Sequence, residues 1–154
     1  MQQLTETTSV LKSLLEICRD GEHGFMTASK EVTDASLKSE FIQYSAQRKA
    51  FADELISSID PHGETNHVSG SLTAAMHRGW MEVKAAISSN DTHSILNECE
   101  RGEDSAMAAY REAIGVPSLE PSVKHIVTAQ YDQIQRVHDR IKLLREAYEN
   151  PATT

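Results

Sequence analysis

Apolar residues recur along the chain at alternating intervals of three and four positions, which is the spacing of one face of an α-helix. This pattern predicts four long helices, over about 4–32, 34–60, 92–114 and 121–148. A shorter helix is predicted over 72–87, inside the connection between the second and third long helices. Because these intervals are also typical of helices packed at shallow angles, we expect an all-α, up-down four-helix bundle with one long crossover.

The positions that repeat at helical spacing form the predicted core. In chain order, they are Leu11, Leu14, Cys18, Gly21, Phe25, Ala28 and Val32; Leu37, Phe41, Tyr44, Arg48, Phe51 and Leu55; Ile95, Cys99, Gly102, Ala106, Ala109 and Ala113; and Val127, Tyr131, Ile134, His138, Ile141, Arg145 and Tyr148. Arg48 and His138 are thus placed among apolar residues of the predicted core. Each would need a polar partner there, because burying an unpaired polar group is costly.

The helix boundaries coincide with turn-forming residues. The four prolines, at 61, 117, 121 and 151, each mark a predicted boundary, and the polar stretch 60–71 is typical of a loop. The one Asp-Gly pair lies inside a helical pattern, so no β-hairpin is predicted. We therefore expect a single domain over 1–154, with an ordered core over about 4–148 and a tail over 149–154.

Charge and composition narrow the partners. The 154 residues include 15 Lys and Arg against 23 Asp and Glu, a formal charge of −8. This balance argues against binding nucleic acid or an anionic membrane surface, since both need a basic patch. The chain shows neither a secretory signal pattern nor an apolar run of transmembrane length. With only two cysteines, we expect a cytoplasmic protein whose thiols are reduced.

Two segments of the chain resemble each other at a spacing of 81 residues. Both contain the pattern C-x-x-G-E, at 18–22 in the first helix and at 99–103 in the third. Convergence of two amphipathic helices would explain the apolar matches, but not a shared cysteine and mid-helix glycine. We interpret the pattern as two helical hairpins related by a pseudo-two-fold axis. Because glycine destabilises a helix by about 1 kcal/mol relative to alanine, its presence at 21 and 102 predicts close contact with a neighbouring group.

The chain resembles the ferritin-like bundles, and in particular a bacterial ferritin-like family of unknown function. The segments that carry this resemblance are E-C-E-R-G-E-D at 98–104 and H-R-G-W-M at 77–81. The resemblance extends from about Leu11 to Leu144. It implies a four-helix bundle with a long crossover between helices two and three, in agreement with the periodicity, and brings no known activity.

Di-iron sites in ferritin-like proteins take one Glu from each of two helices and a Glu-x-x-His pair from each of the other two. By this resemblance, Glu22 and Glu103 match the single glutamates and His138 matches one histidine. Gln135 stands where the glutamate of that pair belongs, and Arg48 and Phe51 stand at the positions of the other pair. With both glutamates of the pairs missing, a di-iron oxidoreductase is the least favoured interpretation.

Arg48 suggests another arrangement of charge at the bundle centre. A guanidinium suits bidentate contact with a carboxylate, so we predict a structural charge network of Glu22, Arg48 and Glu103 in place of the metal charge. The alternative is a residual metal site made of Glu22, Glu103 and His138, with help from Glu100. His138 as a hydrogen-bonded core histidine, and Cys18 and Cys99 as buried apolar residues, are the simpler interpretations, against roles as ligands or a redox pair.

Taken together, these patterns favour a non-catalytic bundle that acts by association, with a second copy of itself or with another protein. A metal-binding protein with iron or another divalent cation at the bundle centre is the alternative. We expect no bound cofactor in the favoured interpretation. No motif of a nucleophilic enzyme or a phosphate-binding loop occurs in the sequence.

Overall fold

A computed structural model describes residues 2–59 and 91–149 of the chain, with the side chains of 6–59 and 91–148. This part folds into four α-helices and contains no strand. We number them α1 (Gln2–Glu31), α2 (Ala35–Ile59), α3 (Thr92–Ile114) and α4 (Pro121–Glu149). The prediction of four long helices is thereby confirmed, and the described part of the chain is all-α. The short helix predicted over 72–87 lies outside the described residues.

Aspartates cap the starts of α2 and α3. The Asp34 carboxylate accepts a hydrogen bond from the backbone N–H of Leu37 over 2.9 Å. Asp91 does the same for His93 over 3.1 Å. Such caps satisfy backbone donors that have no partner within the helix. At the other end of α3, the Gly115 N–H bonds the carbonyl of Arg111 and ends the helix at the predicted position.

The helices pack as two antiparallel hairpins. α1 lies along α2, and α3 lies along α4. The hairpins meet mainly through α1 against α3, and more lightly through α2 against α4. The beginning of α1 is joined to the turn before α4, where the Glu120 N–H donates to Thr7 Oγ1 over 3.2 Å. In this arrangement α2 and α3 are diagonal partners across the bundle rather than neighbours.

The hydrophobic core is divided into two clusters along the bundle. One cluster joins the first half of α1 to the end of α2, the end of α3 and the start of α4. The other joins the end of α1 to the start of α2, the start of α3 and the end of α4. α2 therefore ends at one end of the bundle while α3 begins at the other. None of the four helices is long and apolar enough to cross a membrane.

The interior face of α4 differs from the predicted seam. The buried positions are Val123, Val127, Gln130, Ile134, Val137 and Ile141, whereas Tyr131, His138 and Arg145 are half-buried and Tyr148 is exposed. At each step of three or four residues along α4, either of two adjacent residues can face the interior. The sequence interpretation selected the aromatic and histidine side chains, but the structure turns the neighbouring residues Gln130 and Val137 inward.

Candidate functional site

Arg48 and Glu103 form a bidentate ion pair at the centre of the bundle. Arg48 Nη1 donates to Glu103 Oε1 over 2.6 Å, and Nη2 donates to Oε2 over 2.5 Å. The two side chains are 1% and 0% exposed. Since α2 and α3 are diagonal, this pair spans the bundle axis. It lies between the two apolar clusters and links the hairpins through a charged contact.

The guanidinium of Arg48 makes further contacts besides the ion pair. Its Nε donates to Gln47 Oε1 over 3.3 Å, and its Cζ lies 5.5 Å from the ring centroid of Phe25, as in a cation–π contact. Burial alone would lower the pKa of Arg48, but the charge and hydrogen bonds of Glu103 raise it above the ordinary arginine value. Arg48 is therefore a charged, fixed element of the interior.

Gly21 provides the space that Arg48 occupies. A Cβ atom at Gly21 would lie 3.2 Å from Arg48 Cγ and 3.2 Å from Arg48 Nη1. These distances are tighter than normal van der Waals contact. The close approach predicted from a glycine inside a helix is thus present at this position, and the neighbouring group is the arginine side chain of α2.

A chain of hydrogen bonds joins all four helices beside the ion pair. The Tyr110 hydroxyl donates to Gln130 Oε1 over 2.6 Å. Cys18 Sγ lies 3.1 Å from the same hydroxyl and, since the tyrosine proton is already engaged, acts as the donor to it. Gln130 Nε2 in turn donates to Glu54 Oε1 over 2.7 Å and to the Phe51 carbonyl over 3.3 Å. The chain passes from α1 through α3 and α4 to α2.

Both cysteines are buried free thiols. Burial raises the pKa of Cys18 to about 11. Burial likewise raises the pKa of Cys99 well above the ordinary thiol value, and the charge of Glu103 acts in the same direction. The thiolate is the nucleophilic form of cysteine, so neither residue is poised for thiol chemistry near neutral pH.

The residues predicted for the site are distributed over two places. Arg48 and Glu103 lie together at the centre. Glu22 is half-buried, and its backbone carbonyl accepts a hydrogen bond from Ser45 Oγ over 2.8 Å. His138 lies at the edge between α3 and α4, where its Nε2 is 2.7 Å from Asp104 Oδ1. In the described part of the chain, Glu22, Glu103 and His138 do not converge on a common point.

The residues at the bundle centre do not fit the di-iron centre that the ferritin-like resemblance implies. Both oxygens of the Glu103 carboxylate are already bound by Arg48. Gln135 is exposed on α4, and Phe51 belongs to an apolar cluster. A cation placed here would meet a fixed positive charge, which opposes metal binding.

Tyr110 and Gln130 are the central residues that the sequence interpretation missed. Tyr110 follows Ala106 by four positions, and Gln130 follows Val127 by three, so both satisfy helical spacing. Apolar neighbours were preferred at these steps, Ala109 in α3 and Tyr131 in α4. A buried glutamine is recognisable only when its hydrogen-bond partners on other helices are known.

A second group of potential ligands lies at the α3–α4 edge. Glu100, Asp104 and His138 each offer one ligand atom, and these atoms all lie within 4.8 Å of one another. Glu100 and Asp104 are one turn apart on the same face of α3. Arg145 of α4 donates through Nε to Glu100 Oε1. This group has the residue types that could hold a divalent cation.

Comparison with known proteins assigns the family. The model of a family described as a domain of unknown function (DUF2383) matches residues 6–115, which is more than half of the chain. The chain belongs to this family. No curated protein matches the chain. The match covers α1 to α3, and with them Gly21, Arg48 and Glu103.

Substitution of Gly21 tests how tightly the centre is packed. Gly21→Ala should destabilise the domain by about 1–3 kcal/mol, because Arg48 is held by Glu103 and cannot move away from the added methyl group. Helix propensity alone would favour alanine by about 1 kcal/mol. Urea unfolding followed by circular dichroism measures the difference.

Gly115→Ala is the matched control, since its added Cβ meets only ordinary contacts at 3.5 Å. We expect this variant to unfold within about 0.5 kcal/mol of the wild type. A Gly21→Ala protein as stable as the wild type would contradict the close packing of Arg48 against α1.

Alkaline pH should destabilise the fold. The folded-state pKa of Cys18 is raised to about 11 from an ordinary value of 9.0, so the folded state binds more protons between these values. Stability is therefore full below about pH 9 and falls toward pH 11, by about 1.4 kcal/mol per pH unit for this thiol. Cys99 and Tyr110 act in the same direction. Urea midpoints at pH 8, 9 and 10 measure the slope.

The Cys18→Ala variant should show a shallower decline with pH, whereas Tyr148→Phe, at an exposed position, should follow the wild type. Equal stability of the wild-type protein at pH 8 and pH 10 would show that the buried thiols do not govern this dependence.

Proposed function

We propose that this DUF2383 domain is a ferritin-like bundle with a degenerate metal centre, and that it acts by association rather than catalysis. The observation that carries the proposal is the bidentate pair of Arg48 and Glu103 across the bundle axis. A guanidinium supplies the positive charge that a metal ion supplies in a working di-iron protein. The fold is then held together without a metal.

The chemistry of the centre supports a structural role. The hydrogen bonds of Arg48 and Glu103 are made with each other and with Gln47. Burial keeps the thiols of Cys18 and Cys99 protonated near neutral pH. Within the described helices, the Tyr110 hydroxyl is likewise engaged, by Cys18 and Gln130. A general base or nucleophile must instead be available to a substrate.

Glu22 belongs to the proposed network as its second carboxylate. It directly follows Gly21, the residue that contacts Arg48, and it is half-buried. Glu103 accepts the hydrogen bonds of the guanidinium, and we assign Glu22 to the α1 side of the network as a supporting carboxylate.

Surface features support association, with a second copy of the chain or with another protein. Four large apolar side chains are exposed on the described helices, namely Met26, Ile42, Leu143 and Tyr148. A groove of about 580 Å³ also runs between α1 and α3. Its lining is rich in small and apolar residues, among them Val10, Leu14, Ile17 and Ala109. An apolar groove of this kind is a candidate protein-binding face.

A residual iron or other divalent-metal site at the bundle centre, formed by Glu22, Glu103 and His138, is the second candidate. The buried carboxylate of Glu103 favours it, because such a group can ligate a cation. It requires Glu103 to exchange Arg48 for the metal and His138 to turn inward from the α3–α4 edge. We therefore rank it below the structural proposal.

Removal of one partner from the central pair should be strongly destabilising. Arg48→Ala leaves the Glu103 charge buried and unpaired, which is expected to cost about 3–5 kcal/mol in the free energy of unfolding. The metal-free protein is used, and chemical denaturation gives the free energy. The double variant Arg48→Met, Glu103→Leu should regain most of the loss, because it leaves no buried charge.

Lys49→Ala is the matched control, since Lys49 is the next residue on α2 and its ion pair with Asp53 is solvent-exposed. It should change stability by less than about 1 kcal/mol. An Arg48→Ala protein that unfolds like this control would contradict the proposed network.

Oxygen chemistry and self-association separate the two candidate functions. We expect anaerobic Fe(II) titration to show no saturable binding of two equivalents, and the protein to cause no oxygen uptake above that of free iron.

Sedimentation velocity across a wide range of protein concentration should show self-association, weakened by Ile42→Glu or Leu143→Glu. Two-equivalent iron binding with oxygen uptake that Glu103→Gln abolishes would overturn the proposal. A monomer at every concentration would refute association with a second copy.

A further inference from the structure

We propose that the α3–α4 edge carries a divalent transition-metal site formed by Glu100, Asp104 and His138, separate from the bundle centre. Two residues of α3 supply carboxylates, and α4 supplies the imidazole. Their ligand atoms lie within 4.8 Å of one another, a separation that a single ion can bridge after small side-chain rotations. The site does not depend on the association proposed above.

The backbone places the three ligands without distortion. Glu100 and Asp104 are four residues apart in α3, so both carboxylates project from one face a turn apart. α4 runs antiparallel to α3 and brings His138 opposite Asp104, with Nε2 2.7 Å from Oδ1. Because the helices are packed along their length, the ligands are carried by a rigid pair rather than by a loop.

The imidazole of His138 is oriented by a second carboxylate. Its Nδ1 lies 3.2 Å from Asp139 Oδ1, while its Nε2 faces Asp104. Both ring nitrogens thus face carboxylate oxygens, and these contacts fix the plane and direction of the imidazole. A histidine held by a carboxylate in this way is the usual arrangement of a metal ligand.

Exposure at the edge suits a bound ion that retains water. The side chains of His138 and Glu100 are each 16% exposed, whereas that of Asp104 is 61% exposed. Two ligands are thus partly shielded from solvent, and the third borders it. A cavity of about 380 Å³ adjoins the group and is lined by Asn97, Glu100, Arg101, Asp104 and Arg145. It leaves room for water to complete the coordination.

The ligand types select the class of metal. Imidazole nitrogen favours zinc and the late transition metals, while carboxylate oxygens also accept Mn²⁺. The group supplies three protein ligands and leaves a position for water, which is the ligand count of an open Zn²⁺ site. Zn²⁺ is therefore the probe of choice, and Mn²⁺ is the comparison for an oxygen-rich preference.

Arg145 acts as a competitor for the site. It forms an ion pair with Glu100 and lies beside the same cavity. A metal ion must draw Glu100 away from this guanidinium and also bind close to its positive charge. Removing Arg145 should therefore strengthen metal binding, a direction that a purely structural cluster would not show.

Isothermal titration of the tag-free full chain with Zn²⁺ tests the proposal. The wild type should bind one equivalent saturably. His138→Gln and Asp104→Asn should each weaken binding by at least about tenfold, since loss of even an orienting partner outside the ligand set costs that much. Arg145→Gln should tighten it by about two- to fivefold, the value of a surface ion pair.

His125→Gln and Asp132→Asn are the matched controls, because both replace exposed residues of the same types on α4. They should bind Zn²⁺ like the wild type, and circular dichroism should show all five variants folded. The absence of saturable binding in both the wild type and Arg145→Gln would overturn the site. Binding that survives unchanged in His138→Gln or Asp104→Asn would also overturn it, by placing the ion elsewhere.

Discussion

The ion pair between Arg48 and Glu103 is the constraint on which the rest of the bundle depends. It joins two diagonal helices at a point where neither side chain reaches water. A charge in such a place is tolerated only when its partner is fixed, because desolvating an unpaired ion costs several kcal/mol. The bidentate contact therefore links α2 and α3 directly across the bundle.

Other features of the interior follow from this pair. The apolar core is split into two clusters, one toward each end of the bundle. α1 carries glycine at position 21 because the arginine side chain occupies the space of a Cβ atom. Beside the pair, hydrogen bonds from Cys18 through Tyr110 to Gln130 connect the remaining helices. A polar layer of this kind favours one register of the helices, since any sliding would leave buried groups unpaired.

Much of the fold was predictable from the sequence, because packed helices carry apolar residues at regular intervals of three and four positions. The intervals between Leu37, Phe41, Arg48 and Leu55 identified the interior face of α2, and with it the inward arginine. In α4 the same reasoning identified Val127, Ile134 and Ile141, but it selected Tyr131 and His138 instead of their buried neighbours Gln130 and Val137. Residues one position apart differ by only about 100° around a helix. The choice between them depends on what the facing helices present.

The candidate sites were less predictable for a related reason. The resemblance to ferritin-like proteins grouped Glu22, Glu103 and His138. In the structure, Glu103 is paired with Arg48, and His138 contacts Asp104. Such pairings depend on the distance between side chains from different helices, which spacing along one helix does not determine. The division places fixed charge at the centre and potential ligands at an edge.

The state of the Arg48 guanidinium in solution tests this account most directly. Nitrogen-15 NMR of the native protein resolves its Nη protons. Locked by Glu103 and shielded from solvent, they should give separate signals with slow hydrogen exchange, and Glu103→Gln should merge those signals and speed their exchange. A single averaged, rapidly exchanging signal in the wild-type protein, unaffected by that substitution, would contradict the central role of the pair.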